Sequence, residues 1–177
     1  EQTFQNYAFA ATYGLIALWG GVWGLWISKK WGGFSSTIGR AIIVLSLGLL
    51  AQEFGQLIFS YYNIFSKIEI PYPSLADVGF FGSVILYIIG IFLLAKASGA
   101  KFVHKAIMNK FQVVIIPMVM LTISYLMFLK GYEFDFSEPL RVFLDFGYPL
   151  GEAIYISIAI LAYTLSRNLL GGVMKNR

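Results

Sequence analysis

The sequence predicts an all-α, polytopic membrane protein: a bundle of five transmembrane helices, N-terminus outside and C-terminus cytoplasmic. Three observations predict it. Of 177 residues, 58% are hydrophobic and 12% charged, roughly half the charged share of a soluble domain. Apolar runs long enough for a bilayer core of about 30 Å recur along the chain. The basic residues alternate between connections, as the positive-inside rule requires. Residues 1–177 then form a single integral-membrane domain of a cell (plasma or inner) membrane, with lipid as a partner.

The expected spans are 7–27, 41–63, 75–97, 111–129 and 140–166. Between the first two lie Lys29, Lys30 and Arg40. Lys96, Lys101, Lys105 and Lys110 lie between the third and fourth, and Arg167, Lys175 and Arg177 follow the fifth. The alternate side holds Lys67, Lys130 and, just inside the fifth span, Arg141, together with Glu1, Glu69, Glu133, Asp135 and Glu138. The cations collected on one side define the cytoplasmic face. The chain starts at Glu1, consistent with a removed leader or with a fragment.

Several chemistries are excluded. There is no cysteine and a single histidine, His104, so thiolate chemistry and a His-based metal site or triad are unavailable within this chain. No nucleophile elbow, P-loop, dinucleotide fingerprint or HExxH occurs. No catalytic residue, metal site or cofactor is expected. The basic residues cluster at span ends, which is not a nucleic-acid footprint.

In the first span, Trp19, Trp23 and Trp26 share one helix face, and Gly20 and Gly24 form a small-xxx-small pair nearby. That spacing lets a second backbone approach closely. It serves either an interface with a partner or second copy, or ordinary packing within the bundle. Trp31 suits an interfacial anchor.

The second span carries a polar stripe: Ser46, Glu53, Gln56, Ser60 and Asn63 recur at helical spacing, with Gln52 beside them. At about 1.5 Å per residue, Glu53 lies near mid-depth. Lipid offers no hydrogen-bond partners, so the stripe faces the interior.

The turn NIFSKIEIPYPS leads into the third span. Ser74 and Asp77 match S-x-x-D before an apolar run, the spacing of a capping box. Asp77 therefore caps a helix or, alternatively, binds a ligand on the external side. In the fourth span Pro117 removes an internal hydrogen bond. The fifth span mirrors the second: Arg141, Asp145, Tyr148, Glu152 and Tyr155 share one face, and Glu152 is again near mid-depth. Arg141 and Asp145 are placed to pair, and Pro149 to kink the helix.

The candidate site joins the two mirrored spans. Glu53 and Glu152 are expected to face one interior space, with Gln52, Gln56, Tyr148 and Tyr155 around them and Asp77 and Asp145 toward the outside. Two adjacent buried carboxylates cannot both stay charged cheaply, so a proton, a cation or a basic ligand would stand between them. A small-molecule or cation pocket and a satisfied polar core that sets helix register both fit.

Pro71-Tyr72-Pro73-Ser74-Leu75-Ala76-Asp77, with Glu53 and Gln56 upstream and Tyr148-Pro149-Leu150-Gly151-Glu152 downstream, resembles the multi-span region ahead of diguanylate cyclase, histidine kinase and PAS output domains in prokaryotic signalling proteins. There a P-S-x-A-D stretch opens a membrane helix, a glutamate precedes it and Y-P-x-x-D/E recurs later. The resemblance implies a sensory or ligand-detecting membrane module. Ten residues follow Arg167, so the expectation is action through another chain. Foremost is a non-catalytic accessory subunit of a larger membrane complex, working through helix contacts with an integral-membrane partner or in a homo-oligomer. The alternative is a sensor with an outward-facing polar pocket. A small ion or solute transporter is third.

Overall fold

The computed structural model describes residues 12–66, 71–98, 107–133 and 135–174. The described residues are helical apart from short turns. The helices are α1 (Leu15–Lys30), α2 (Thr37–Tyr61), α3 (Leu75–Ala97), α4 (Ile107–Ser124) and α5 (Pro139–Met174). Single π-helical turns extend α2 over Tyr62–Ser66 and α4 over Tyr125–Leu129.

Four segments are long and apolar enough to cross a membrane: Thr37–Phe65, Leu75–Ala97, Phe111–Leu129 and Pro139–Thr164. The expected count of five is thus four among the described residues. Helix α1 has 16 residues, and the start of the expected first span, 7–11, lies outside the described residues. So do Lys101, His104 and Lys105.

Local chemistry explains the helix ends. After α1, Gly32 takes φ 87°, a left-handed conformation that glycine adopts without a side-chain clash. Ser36 then caps α2 by accepting from Gly39 N at 2.9 Å. Before α3, Ser74 and Asp77 form the expected capping box. Asp77 Oδ2 accepts from Ser74 N at 2.7 Å, and Ser74 Oγ accepts from Ala76 N at 3.2 Å. Helix α5 continues through Pro149 as one element.

The helices pack in the order α1, α2, α3, α5, α4, each mainly on its neighbours. This is a row rather than a bundle closed around one interior. Helix α3 is the middle member, and α1 and α4 are the flanks. Glycines set the closest approach: a Cβ on Gly79 would lie 2.4 Å from Gly55 N and 2.6 Å from Ala51 O, so α2 and α3 meet backbone to backbone.

Buried apolar residues are few and mostly small or aliphatic, among them Ala41, Ala76, Val84, Ala95 and Ala153. Large apolar side chains such as Trp19, Phe54, Phe92, Met118 and Phe143 are exposed. Such a distribution suits a chain whose outer solvent is itself apolar.

Candidate functional site

The polar stripe of α2 divides between two neighbours. Gln52 faces α3, where its Oε1 accepts from Ser83 Oγ at 2.8 Å. Glu53 faces α1. It is 5% exposed and lies against Gly14, where a Cβ would be 1.8 Å from Glu53 Oε2. A side chain at position 14 would push the carboxylate tip aside. Ser46 fits against α1 in the same way, its Oγ 2.2 Å from where a Cβ of Gly24 would be.

Glu53 Oε2 is buried and has no hydrogen-bond partner among the described residues. Beside it is a cavity of about 390 Å³ between α1 and α2, with walls from Tyr13, Ile16, Ala17, Gly20, Leu49 and Gln56. The volume suits a small ligand. The lining is apolar except for the carboxylate, the amides of Gln52 and Gln56, and Tyr13. Among the described residues, Gln56 Nε2 makes only a long contact, 3.4 Å, to Ser60 Oγ.

The second partner expected for Glu53 is elsewhere. Glu152 is exposed, on a fissure of about 160 Å³ between α4 and α5. Helix α3 stands between α2 and α5. The expectation of one site shared by Glu53 and Glu152 is therefore corrected. Each glutamate follows the spacing of its own helix, but the helix order puts them on separate flanks.

Tyr148, Asp77 and Asp145 form a different constellation, at the helix ends where α3 and α5 begin. Tyr148 donates to Asp77 Oδ1 at 2.8 Å, so Asp77 both caps α3 and ties it to α5. Asp145 accepts from Tyr72 at 2.6 Å and, through its other oxygen, from Tyr132. The expected Arg141–Asp145 pair is present but long, 3.9 Å, and Arg141 is also 3.4 Å from Glu138. Tyr155 packs edge-on to Tyr87, centroids 5.9 Å apart, and does not reach the Glu53 cavity's walls.

The environment of this cluster shifts the loop groups. Burial, and then the bond to Asp145, pushes the Tyr72 phenol above its ordinary range. The bond to Asp145 does the same for Tyr132. Asp135, held by the hydroxyl and amide of Ser137, is moved down.

On α1 the candidate interface residues separate. Gly20 borders the cavity near Leu49, and Gly24 seats Ser46. The pair thus packs within the chain. Trp19, Trp23 and Trp26 turn outward. Trp19 is 69% exposed and stacks on Trp23 at 5.6 Å, and Lys30 lies over Trp26.

Sequence reasoning missed Tyr72, Tyr132 and Ser83. Tyr72 had a usable signal, an aromatic hydroxyl held between two prolines beside the acidic cap. Tyr132 and Ser83 had none, because no periodicity links either to its partner on another helix. Comparison with protein-family models, with curated proteins and with solved structures finds no match for this chain.

Proposed function

We propose that the chain is a non-catalytic, multi-pass membrane module that binds a small amphiphile at Glu53 and acts on a partner chain. The observation that carries this is the buried, unpartnered Glu53 Oε2 beside a mostly apolar cavity. A carboxyl group in such a place is costly unless something donates to it. A ligand with an ammonium or other donor head and a short apolar body meets both demands. The resemblance to prokaryotic sensory membrane regions agrees, since Glu53 and Gln56 carry part of it.

The same proposal takes five crossings, the first over 7–27, with an external N-terminus and a cytoplasmic C-terminus. The ten-to-three division of basic residues supports that orientation. The host is then a prokaryotic cell membrane.

An accessory subunit working through helix contacts alone is a second reading. The exposed mid-span Glu152 favours it.

The test is thermal unfolding of the chain in lipid nanodiscs with alkylammonium ions of four to eight carbons, and with the matching alcohols. The amines raise Tm with the logarithm of one plus the ratio of free ligand concentration to Kd, the alcohols do not, and Glu53→Gln abolishes the response. No shift with any amine, or an equal shift in Glu53→Gln, rejects the site.

A further inference from the structure

Glu152 is a charge-bearing residue that the fold leaves without employment. It stands 13 residues after Pro139 and 12 before Thr164, the limits of its apolar segment. Its neighbour Gly151 packs on Val84, near the middle of α3. Glu152 is exposed and makes no hydrogen bond or ion pair among the described residues. An acid at that depth facing hydrocarbon is expensive, and such residues ordinarily pair.

The surroundings do not satisfy it. The fissure around Glu152 is walled by Met120, Ile123, Met127, Pro149, Ala153 and Ile156. Ser124, the other polar side chain there, already donates to Pro149 O at 2.8 Å. Helix α4 is the end of the row, and Ser124 aside its most apolar stretch, Phe111–Leu129, is not buried. An α-helical partner would cover this flank, and the methionines can adapt to its shape.

Charge decides what kind of partner. Among the described residues, every Lys and Arg lies in a connection, within three residues of a helix end or, for Arg167, beyond the apolar segment that ends at Thr164. A second copy, turned about an axis along the membrane normal, brings another carboxylate to this height and no base. We propose that the α4–α5 fissure docks a transmembrane helix of a different protein, one with a Lys or Arg at mid-depth that pairs with Glu152. This surface is separate from the Glu53 cavity and stands whether or not that cavity binds a ligand.

The test uses the full chain, donor-labelled and reconstituted in lipid vesicles. The probes are acceptor-labelled oligoleucine helices with a central Arg, a central Leu or a central Glu. Energy transfer at matched peptide insertion reads association. The Arg helix should bind at least about tenfold more tightly than the Leu helix, and the Glu helix no better than the Leu helix. Glu152→Gln should remove the preference, while Glu152→Asp and Glu53→Gln keep it, with circular dichroism confirming that each variant is folded. Equal binding of the Arg and Leu helices overturns the proposal. So does a preference that survives in Glu152→Gln. Self-association of the chain that requires Glu152 in the absence of peptide also overturns it, in favour of a second copy.

Discussion

Tyr148 on α5 donates its phenolic hydrogen to Asp77 on α3 across 2.8 Å, while the other oxygen of Asp77 holds the amide of Ser74. One carboxylate therefore closes a helix end and fastens two helices. Hydrogen bonds to a charged acceptor are stronger than neutral ones, so this pair should be measurable. Tyr148→Phe is expected to lower stability by about 1 kcal/mol. Asp77→Ala should cost about 2 kcal/mol, because the cap is lost as well. The double variant should resemble Asp77→Ala alone. Denaturant unfolding in mixed micelles measures all three, and simple additivity would show that the two side chains act independently.

The α2–α3 contact depends on one missing side chain. A Cβ on Gly79 meets backbone atoms of Gly55 and Ala51, which cannot move aside as a side-chain tip can. Gly79→Ala should destabilise by about 1–3 kcal/mol. Gly82, on the same helix, has nothing within 4 Å of its would-be Cβ, so Gly82→Ala should be near neutral. Equal Tm values for the two variants would contradict this packing.

Binding and stability should oppose each other at Glu53. Removing an unsatisfied buried carboxyl relieves its desolvation, on the order of 1–3 kcal/mol, and methionine fills similar space. Glu53→Met is therefore expected to raise the Tm of the ligand-free protein while abolishing the alkylammonium response. A fall in Tm would mean that the carboxylate has a structural partner. Gly14→Ala, which drives a methyl into the carboxylate, should reduce the response in an otherwise wild-type chain.

The loop tyrosines set a pH dependence. The Tyr72 phenol is raised above its ordinary value near 10 by burial and by its bond to Asp145. A raised group adds stability that is complete below the unfolded pKa and is lost as pH rises through the folded one. Wild type should therefore exceed Tyr72→Phe in Tm by a constant margin up to about pH 10, and the margin should shrink above it. A margin that grows above pH 10 would have the wrong sign for a phenol donating to a carboxylate.

Much of the architecture was legible in the residues. The 75–97 span coincides with α3, and the S-x-x-D spacing before it is the capping box observed. The Arg141–Asp145 spacing also forms the expected pair, although the closer partners of Asp145 are tyrosines from two turns. Those partners were hidden because no periodicity links Tyr72 or Tyr132 to Asp145. Only the assembly of helix ends brings them together.

The sequence by itself determined the apolar helices and the position of each polar group along its axis, because helical rise is uniform and length can be counted residue by residue. It thus placed Glu53 and Glu152 each near the middle of its helix. Tertiary structure decided which neighbour each one meets. Gly55 and Gly79 seat α2 on one side of α3, while Gly147 against Phe81 and Gly151 against Val84 seat α5 elsewhere on it. Helix order and rotation about each axis depend on such contacts between distant residues. So a pair of glutamates with matching positions became one enclosed carboxylate beside a cavity and one exposed carboxylate on a fissure.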